Sequence, residues 1–191
     1  HHRAVDDATA TAEIFLKFLE MFKENGVETL DQVNHMYVDT DYKTKRPNHV
    51  TILAQNYIGL KNLYKIISDS HINHFYKTPR ILKSVLNAHR EGLLIGSACE
   101  AGQVYQAVLG NRMEKEIEKT ASYYDYLEIM PLANNEFMVK KGIVNSDEDL
   151  KKINKRILDL GQKLGKPVVA TGDVHYIDKN DSIIRDVLKS S

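Results

Sequence analysis

From Asn48 onward, short apolar runs alternate with stretches of helical periodicity, and that alternation restricts the fold more than any other feature of the chain. Strand-then-helix repetition is the signature of an α/β architecture in which crossover helices carry the chain between parallel strands. The first run, His49–Ala54, precedes a helical stretch through Leu60, Leu63, Tyr64 and Ile67. A helix over Ile81–His89 leads through Gly92 to the run Leu93–Ser97, and a helix near Arg112–Tyr123 feeds the run Tyr126–Met130, closed by Pro131. Ser146 and Asp149 have the spacing of a helix-capping box, Leu150, Ile153, Ile157, Leu160 and Leu164 mark one buried face, and Gly165 ends that helix. Pro167 opens the run Val168–Thr171, and a last helix is expected over Asn180–Lys189. These units predict part of a (β/α) barrel or an open doubly wound sheet.

The amino-terminal part reads differently. Ile14, Phe15, Phe18, Leu19 and Phe22 recur at spacings of three and four, with Gly26 as a stop signal, so residues 5–25 form one amphipathic helix. Residues 28–47 are polar and lack a sustained period beyond a short helical piece over Leu30–Met36, which places a connector and a domain boundary there. The chain opens at His1 without an initiator methionine, already inside a helix-start motif, and is expected to be an excised fragment.

Composition removes several function classes. Lys plus Arg and Asp plus Glu each number 26, so no net basic field attracts nucleic acid, and any such contact must come from local patches or neighbouring domains. The single cysteine, Cys99, excludes an internal disulfide and fits a reducing compartment while leaving a thiolate ligand available. No run approaches the roughly 20 apolar residues of a membrane span. A soluble, cytoplasmic protein without a membrane partner is expected.

The chemistry concentrates at the ends of the apolar runs. In α/β folds, ligands collect at the carboxyl ends of strands. Asp173 and His175 follow Val168–Thr171 at i and i+2, which an extended backbone sends to one side. Carboxylate with neutral imidazole suits zinc, manganese or iron. Cys99 follows Leu93–Ser97 as a candidate ligand, or as a small core residue. His49 stands at the beginning of its run, the opposite end, where a strand histidine is the plain alternative. Glu128 is either a ligand or the outward side of an edge strand, and Asp173 could also cap a turn. His71, His74 and His89 read as solvated surface, and Phe75–Arg80, which mixes aromatic and basic residues as a nucleic-acid patch would, reads more simply as a loop packed on the barrel wall. At the amino terminus, His2 and Asp7 have the types that a two-metal nuclease needs for a general base and a metal ligand, although acids also favour a helix start for its dipole.

Taken in order, these motifs resemble one family. His2-x-Ala4-x-x-Asp7 is similar to the last motif of DEDDh proofreading exonucleases. Asn48–Asn56 with Gly59, Asn62 and Leu63, then Gly92–Cys99, Tyr124–Ile129 and Ala170–Tyr176, resemble successive parts of a polymerase PHP domain. An exonuclease ending inside a PHP domain is the arrangement of PolC-type DNA polymerase III alpha subunits of low-GC Gram-positive bacteria. The resemblance implies three segments: 1–27 as the end of a 3′-to-5′ exonuclease, 28–47 as a connector and 48–191 as the carboxyl-terminal part of a PHP domain, a partial irregular (β/α) barrel preceded by the exonuclease's last helix.

It also implies roles. His2 would be the general base and Asp7 a ligand of magnesium or manganese at the exonuclease site. His49, Cys99, Asp173 and His175 would hold zinc, manganese or iron at the PHP site. The parent would be a DNA polymerase with proofreading, meeting DNA and replisome subunits such as the sliding clamp, while this stretch alone would be inactive because its partner carboxylates lie outside it. A free-standing PHP phosphoesterase and a metal-stabilised, non-catalytic scaffold are the alternatives. Two positions depart from the family's pattern: Asp6 stands where an aromatic residue is expected, and Gln103 where glutamate is common after the cysteine motif.

Overall fold

The computed structural model describes residues 4–35, 43 and 45–190, and divides the chain into two compact units that meet between Arg46 and Pro47. The first contains α1 (Ala4–Glu24) and α2 (Leu30–His35). Asp6 and Asp7 occupy the first turn of α1, where the helix dipole favours negative charge. Thr9 and Thr11 donate back to the Val5 and Asp7 carbonyls, each at 2.8 Å. The apolar stripe of α1 stays about half exposed at Ile14, Phe15, Phe18 and Leu19.

The second unit carries β1 (Thr51–Ala54), α3 (Tyr57–Ile72), α4 (Lys83–Ala88), β2 (Leu93–Gly96), α5 (Gln103–Leu109) and α6 (Glu114–Ser122). It continues with β3 (Leu127–Ile129), α7 (Leu132–Lys140), α8 (Asp147–Leu164), β4 (Val168–Ala170) and α9 (Ser182–Ser190). β3 and β4 pair in parallel, Leu127 opposite Val168 and Ile129 opposite Ala170, and a parallel bridge from Gly96 to Tyr126 links β2 to β3. The expectation that every strand is parallel fails at the first one: β1 runs antiparallel to β2, with Thr51 opposite Gly96 and Ala54 opposite Leu93. The strands form a partial α/β array, open rather than closed into a barrel among the described residues.

The reversal has a local cause. The Gln55 amide donates to the Gly92 carbonyl at 2.9 Å, tying the end of β1 to the beginning of β2. Asn56 then caps α3, its Oδ1 accepting from the Gly59 amide at 2.9 Å. Gly59 lies so close to Gly92 that a Cβ there would fall 1.8 Å from the Gly92 carbonyl oxygen. Two helices, α3 and α4, separate the strands, so the chain returns beside β1 pointing the other way.

Core residues come from every layer: Ile66 of α3, Ile95 of β2, Val104 of α5, Ile117 of α6 and Leu127 of β3 are essentially inaccessible. α8 covers them with Leu150, Ile153, Ile157 and Leu160, all buried, while Leu164 packs at the margin. Its amino end does not form the expected box. Ser146 makes no side-chain cap, and the Asp149 carboxylate accepts from the Asn145 amide at 3.2 Å. Gly165 ends the helix in the left-handed region at φ +63°. The helices α5 and α7 were not expected from the sequence, and α4 and α6 are shorter than expected.

Gly59→Ala is therefore expected to destabilise the chain by about 1–3 kcal/mol, because backbone rather than a pliable side chain blocks the new methyl. Urea unfolding of the two proteins checks this, and equal midpoints would contradict the close approach.

Candidate metal centre

Strand direction decides which side chains meet. Because β1 is antiparallel to β2, its beginning lies beside the end of β2, and His49 reaches the edge from which Cys99 emerges. The bridge from His49 to Gly102 fixes this placement, and His49 Nδ1 lies 3.1 Å from Cys99 Sγ. Cys99 is buried, Glu100 is partly exposed and Asp173 comes from the loop after β4, and their ligand atoms all lie within 4.8 Å of one another. Three strand ends thus deliver a thiol, two carboxylates and an imidazole to one place.

Backbone strain marks the same spot. Ala98, just before the cysteine, and Asp173 are non-glycine residues in the left-handed region, at φ +59° and +46°. Such residues persist where the surroundings over-determine them. At Ala98 the surroundings are the Glu128 carboxylate, 5% exposed, whose Oε1 accepts from the Ala98 amide and whose Oε2 accepts from the Thr171 hydroxyl, both at 3.0 Å, while beside Asp173 the Gly172 carbonyl accepts from Asn134 Nδ2 at 2.7 Å. The Ser97 hydroxyl accepts in turn from the Glu128 amide at 2.8 Å. Glu128 is not the outward side of an edge strand: it points inward and joins the ends of β2, β3 and β4.

His49, Cys99 and Asp173 line two cavities of about 500 and 810 Å³. The smaller also includes Glu128 and Thr171, and the larger includes Glu100, Asn134 and His175. His175 is aimed by its own loop, since Nδ1 lies 2.6 Å from the Asp173 carbonyl. With Nδ1–H as donor, the Nε2 lone pair is left for a ligand bond. Burial, reinforced by the charges of Glu100 and Asp173 and opposed by the Ala101 amide, pushes the Cys99 thiol up to about 11 from 9.0.

The donor set fits a divalent cation. Negative groups held this close repel one another unless a cation sits among them, and a bound cation reverses the logic that keeps the thiol protonated. Glu100 went unnoticed in the sequence because no spacing rule separates it from an ordinary surface acid; its adjacency to Cys99 was the only available signal. Gln103 departs from the expected glutamate without reaching this centre: its Oε1 accepts from Lys83 Nζ at 2.8 Å, on the wall of a different cavity. His71 is exposed as expected, whereas His74 and His89 are half-buried, His74 Nδ1 lying 2.8 Å from Asp69. None of the three lines the two metal-centre cavities. Asp7 is exposed on α1, and His2 lies outside the described residues.

A cluster of side chains able to hold a metal, with Cys99 buried and His49, Asp173 and His175 open to solvent, stands at the strand ends of an open α/β array and defines the class of protein. Residues 6–133 match the PHP domain, and the chain belongs to that family. The match spans His49, Cys99, Glu100 and Glu128, while Asp173 and His175 lie beyond it. The chain is also similar to three proteins named DNA polymerase III PolC-type. The one from Clostridium perfringens is 48% identical over 190 residues, which is 98% of this chain and 13% of that protein. The Caldanaerobacter subterraneus protein is 50% identical over 173 residues, 90% of this chain and 12% of that protein. The Bacillus subtilis protein is 46% identical over 192 residues, 100% of this chain and 13% of that protein. The chain thus spans about an eighth of the length of these relatives.

Two outcomes follow from the geometry. In the metal-free chain, Cys99 favours the folded state as a thiol, so alkylation by iodoacetamide should stay slow through pH 9 and rise only toward about pH 11. The stability linked to this thiol is present below its ordinary pKa and is lost as pH climbs through the raised one. Rapid alkylation at pH 8 would contradict the burial. Glu128→Ala should destabilise by about 1–3 kcal/mol in thermal melts, more than Thr171→Val, because it orphans the Ala98 amide as well.

Proposed function

We propose that the chain is the stretch of a replicative DNA polymerase in which a proofreading exonuclease ends and a PHP domain continues, and that the PHP portion holds divalent metal through His49, Cys99, Asp173 and His175, joined by Glu100. The convergence of these side chains from three separate strand ends carries the metal reading. Identity of 46–50% across nearly the whole chain to proteins named as polymerases supports the parent. Within that reading, residues 1–27 are the exonuclease's end, with His2 as general base and Asp7 as a ligand of magnesium or manganese, residues 28–47 connect, and 48–191 belong to the PHP domain.

Each residue of the centre has a definite task. Cys99 and Asp173 supply anionic donors, His49 and His175 supply neutral nitrogen, and Glu128 holds the strained turn at Ala98 from which Cys99 projects. The mixture of thiolate, imidazole and carboxylate suits zinc, manganese or iron better than magnesium. When bound, the ion supplies positive charge that can polarise a phosphoryl oxygen or lower the pKa of a water. The parent would act in the cytoplasm on DNA, alongside replisome subunits such as the sliding clamp. No helix among the described residues is long and apolar enough to cross a membrane.

Elemental analysis of the purified chain is expected to find divalent transition metal, with the content lowered in Asp173→Asn and in His175→Ala. Chelation should lower the melting temperature of the wild type by about 5–10 °C and that of the variants by less, as expected for a ligand present well above its dissociation constant. Equal metal content in all three proteins would defeat the assignment.

A further inference from the structure

The chain is neutral overall, with 26 residues of each charge, yet the charges are not evenly spread. Between Asp69 and Glu91 it carries Lys77, Arg80, Lys83 and Arg90 and no carboxylate at all. This stretch includes Phe75–Arg80, which was expected to pack on the wall of the barrel. Instead it forms a tight turn, with Tyr76 bridged to Thr78 and Lys77 at φ +60°, and leaves Phe75 53% and Tyr76 37% exposed.

The cations line up with aromatic rings. Arg80 lies 5.3 Å and Lys77 5.7 Å from the centre of the Tyr76 ring. Lys83 lies 4.7 Å and Arg90 5.0 Å from the centre of the Tyr123 ring. Arg80, Lys83 and Tyr123 line one cavity of about 310 Å³, which joins the two groups into a band from the turn to the end of α6. Arg90 is matched by Asp125 at 2.9 Å, whereas Lys83 has, among the described residues, the neutral Gln103 oxygen and the Tyr123 ring as partners. An exposed cation that faces a neutral acceptor rather than a carboxylate is a place where an anionic ligand gains.

We propose that the band formed by Phe75, Tyr76, Lys77, Arg80, Lys83 and Tyr123 binds single-stranded nucleic acid, with phosphates on the cations and bases stacked on the exposed Phe75 and Tyr76 rings. A row of cations tracks a phosphate backbone, and exposed aromatic rings beside it accept bases of any sequence. Reading base sequence in a duplex would need an element to enter a groove, and a turn as short as Tyr76–Thr78 presents none, whereas exposed rings beside cations suit unpaired bases. The site is separate from the metal ligands, apart from His49, which borders both.

Fluorescence anisotropy of a fluorescein-labelled oligothymidylate, titrated with the whole chain as purified, tests the proposal. Binding should weaken with salt at a log–log slope of roughly −2, near −0.7 for each phosphate neutralised on a single strand. Lys83→Gln should reduce the slope by roughly 0.7, and Phe75→Ala should weaken binding about tenfold at unchanged slope. Lys77→Gly serves if Lys83→Gln unfolds by circular dichroism, because glycine adopts a positive φ without strain. Lys155→Gln, in the separate basic group on α8, should bind as the wild type does, and metal content should be the same in all variants, so that failure here is distinct from failure of the metal centre. No binding at about 50 mM salt, affinity unchanged in Phe75→Ala combined with Lys77→Gly, or binding to anionic lipid vesicles alone would each overturn the proposal.

Discussion

The Glu128 carboxylate is the contact on which the site depends. It is buried in the middle of β3, and its oxygens are spent on the Ala98 amide and the Thr171 hydroxyl rather than on water. A buried carboxylate is tolerable only when its lone pairs are satisfied. The partners that satisfy it are the residues whose placement aims Cys99 and Asp173. The burial of the carboxylate and the left-handed turn at Ala98 are therefore met by one arrangement. Tyr126 and Glu128 also come so near Gly96 that a Cβ there would fall 2.4 Å from the tyrosine ring, which is why the strand end bridging β2 to β3 carries no side chain.

Much of the candidate site was legible because the residues that gather there obey a simple rule: they follow apolar runs. Cys99, Asp173 and His175 sit where that rule puts them, and all three reach the shared cavity. His49 breaks it, because it precedes its run. Hydrophobic alternation has no direction, so a strand reads the same whichever way it runs; only the tie between Gln55 and Gly92, and the glycine contact beside it, turn β1 around. With β1 reversed, the amino end of one strand and the carboxyl end of the next become the same edge. The apparent exception at His49 is thus a consequence of strand direction.

Other features escaped the sequence for different reasons. The helical period in α8 was plain because it repeats over 18 residues, whereas α5 and α7, of seven and nine residues, offer too few turns for a pattern to emerge. Glu128 occupies a position that alternation alone could send either way, and its inward direction follows from the partners waiting on β2 and β4. Glu100 has no pattern of its own. Its place follows the left-handed turn at Ala98, where the residues after β2 lie near the loop after β4.

His49 sits between two opposite electrostatic environments. On one side lie Cys99, Glu100 and Asp173, a concentration of negative donors that calls for cations; on the other lie Arg80 and Lys83, a concentration of positive charge that calls for anions. Both are paid for by the same fold, since β1 brings His49 to the edge of β2 and α3 with α4 brings the cationic stretch past it. Because the imidazole borders both cavities, its removal would disturb both at once, and a loss of either ligand in that variant would carry no information about which environment failed. Residues that border only one of them, Asp173 for the cation and Lys83 for the anion, separate the two.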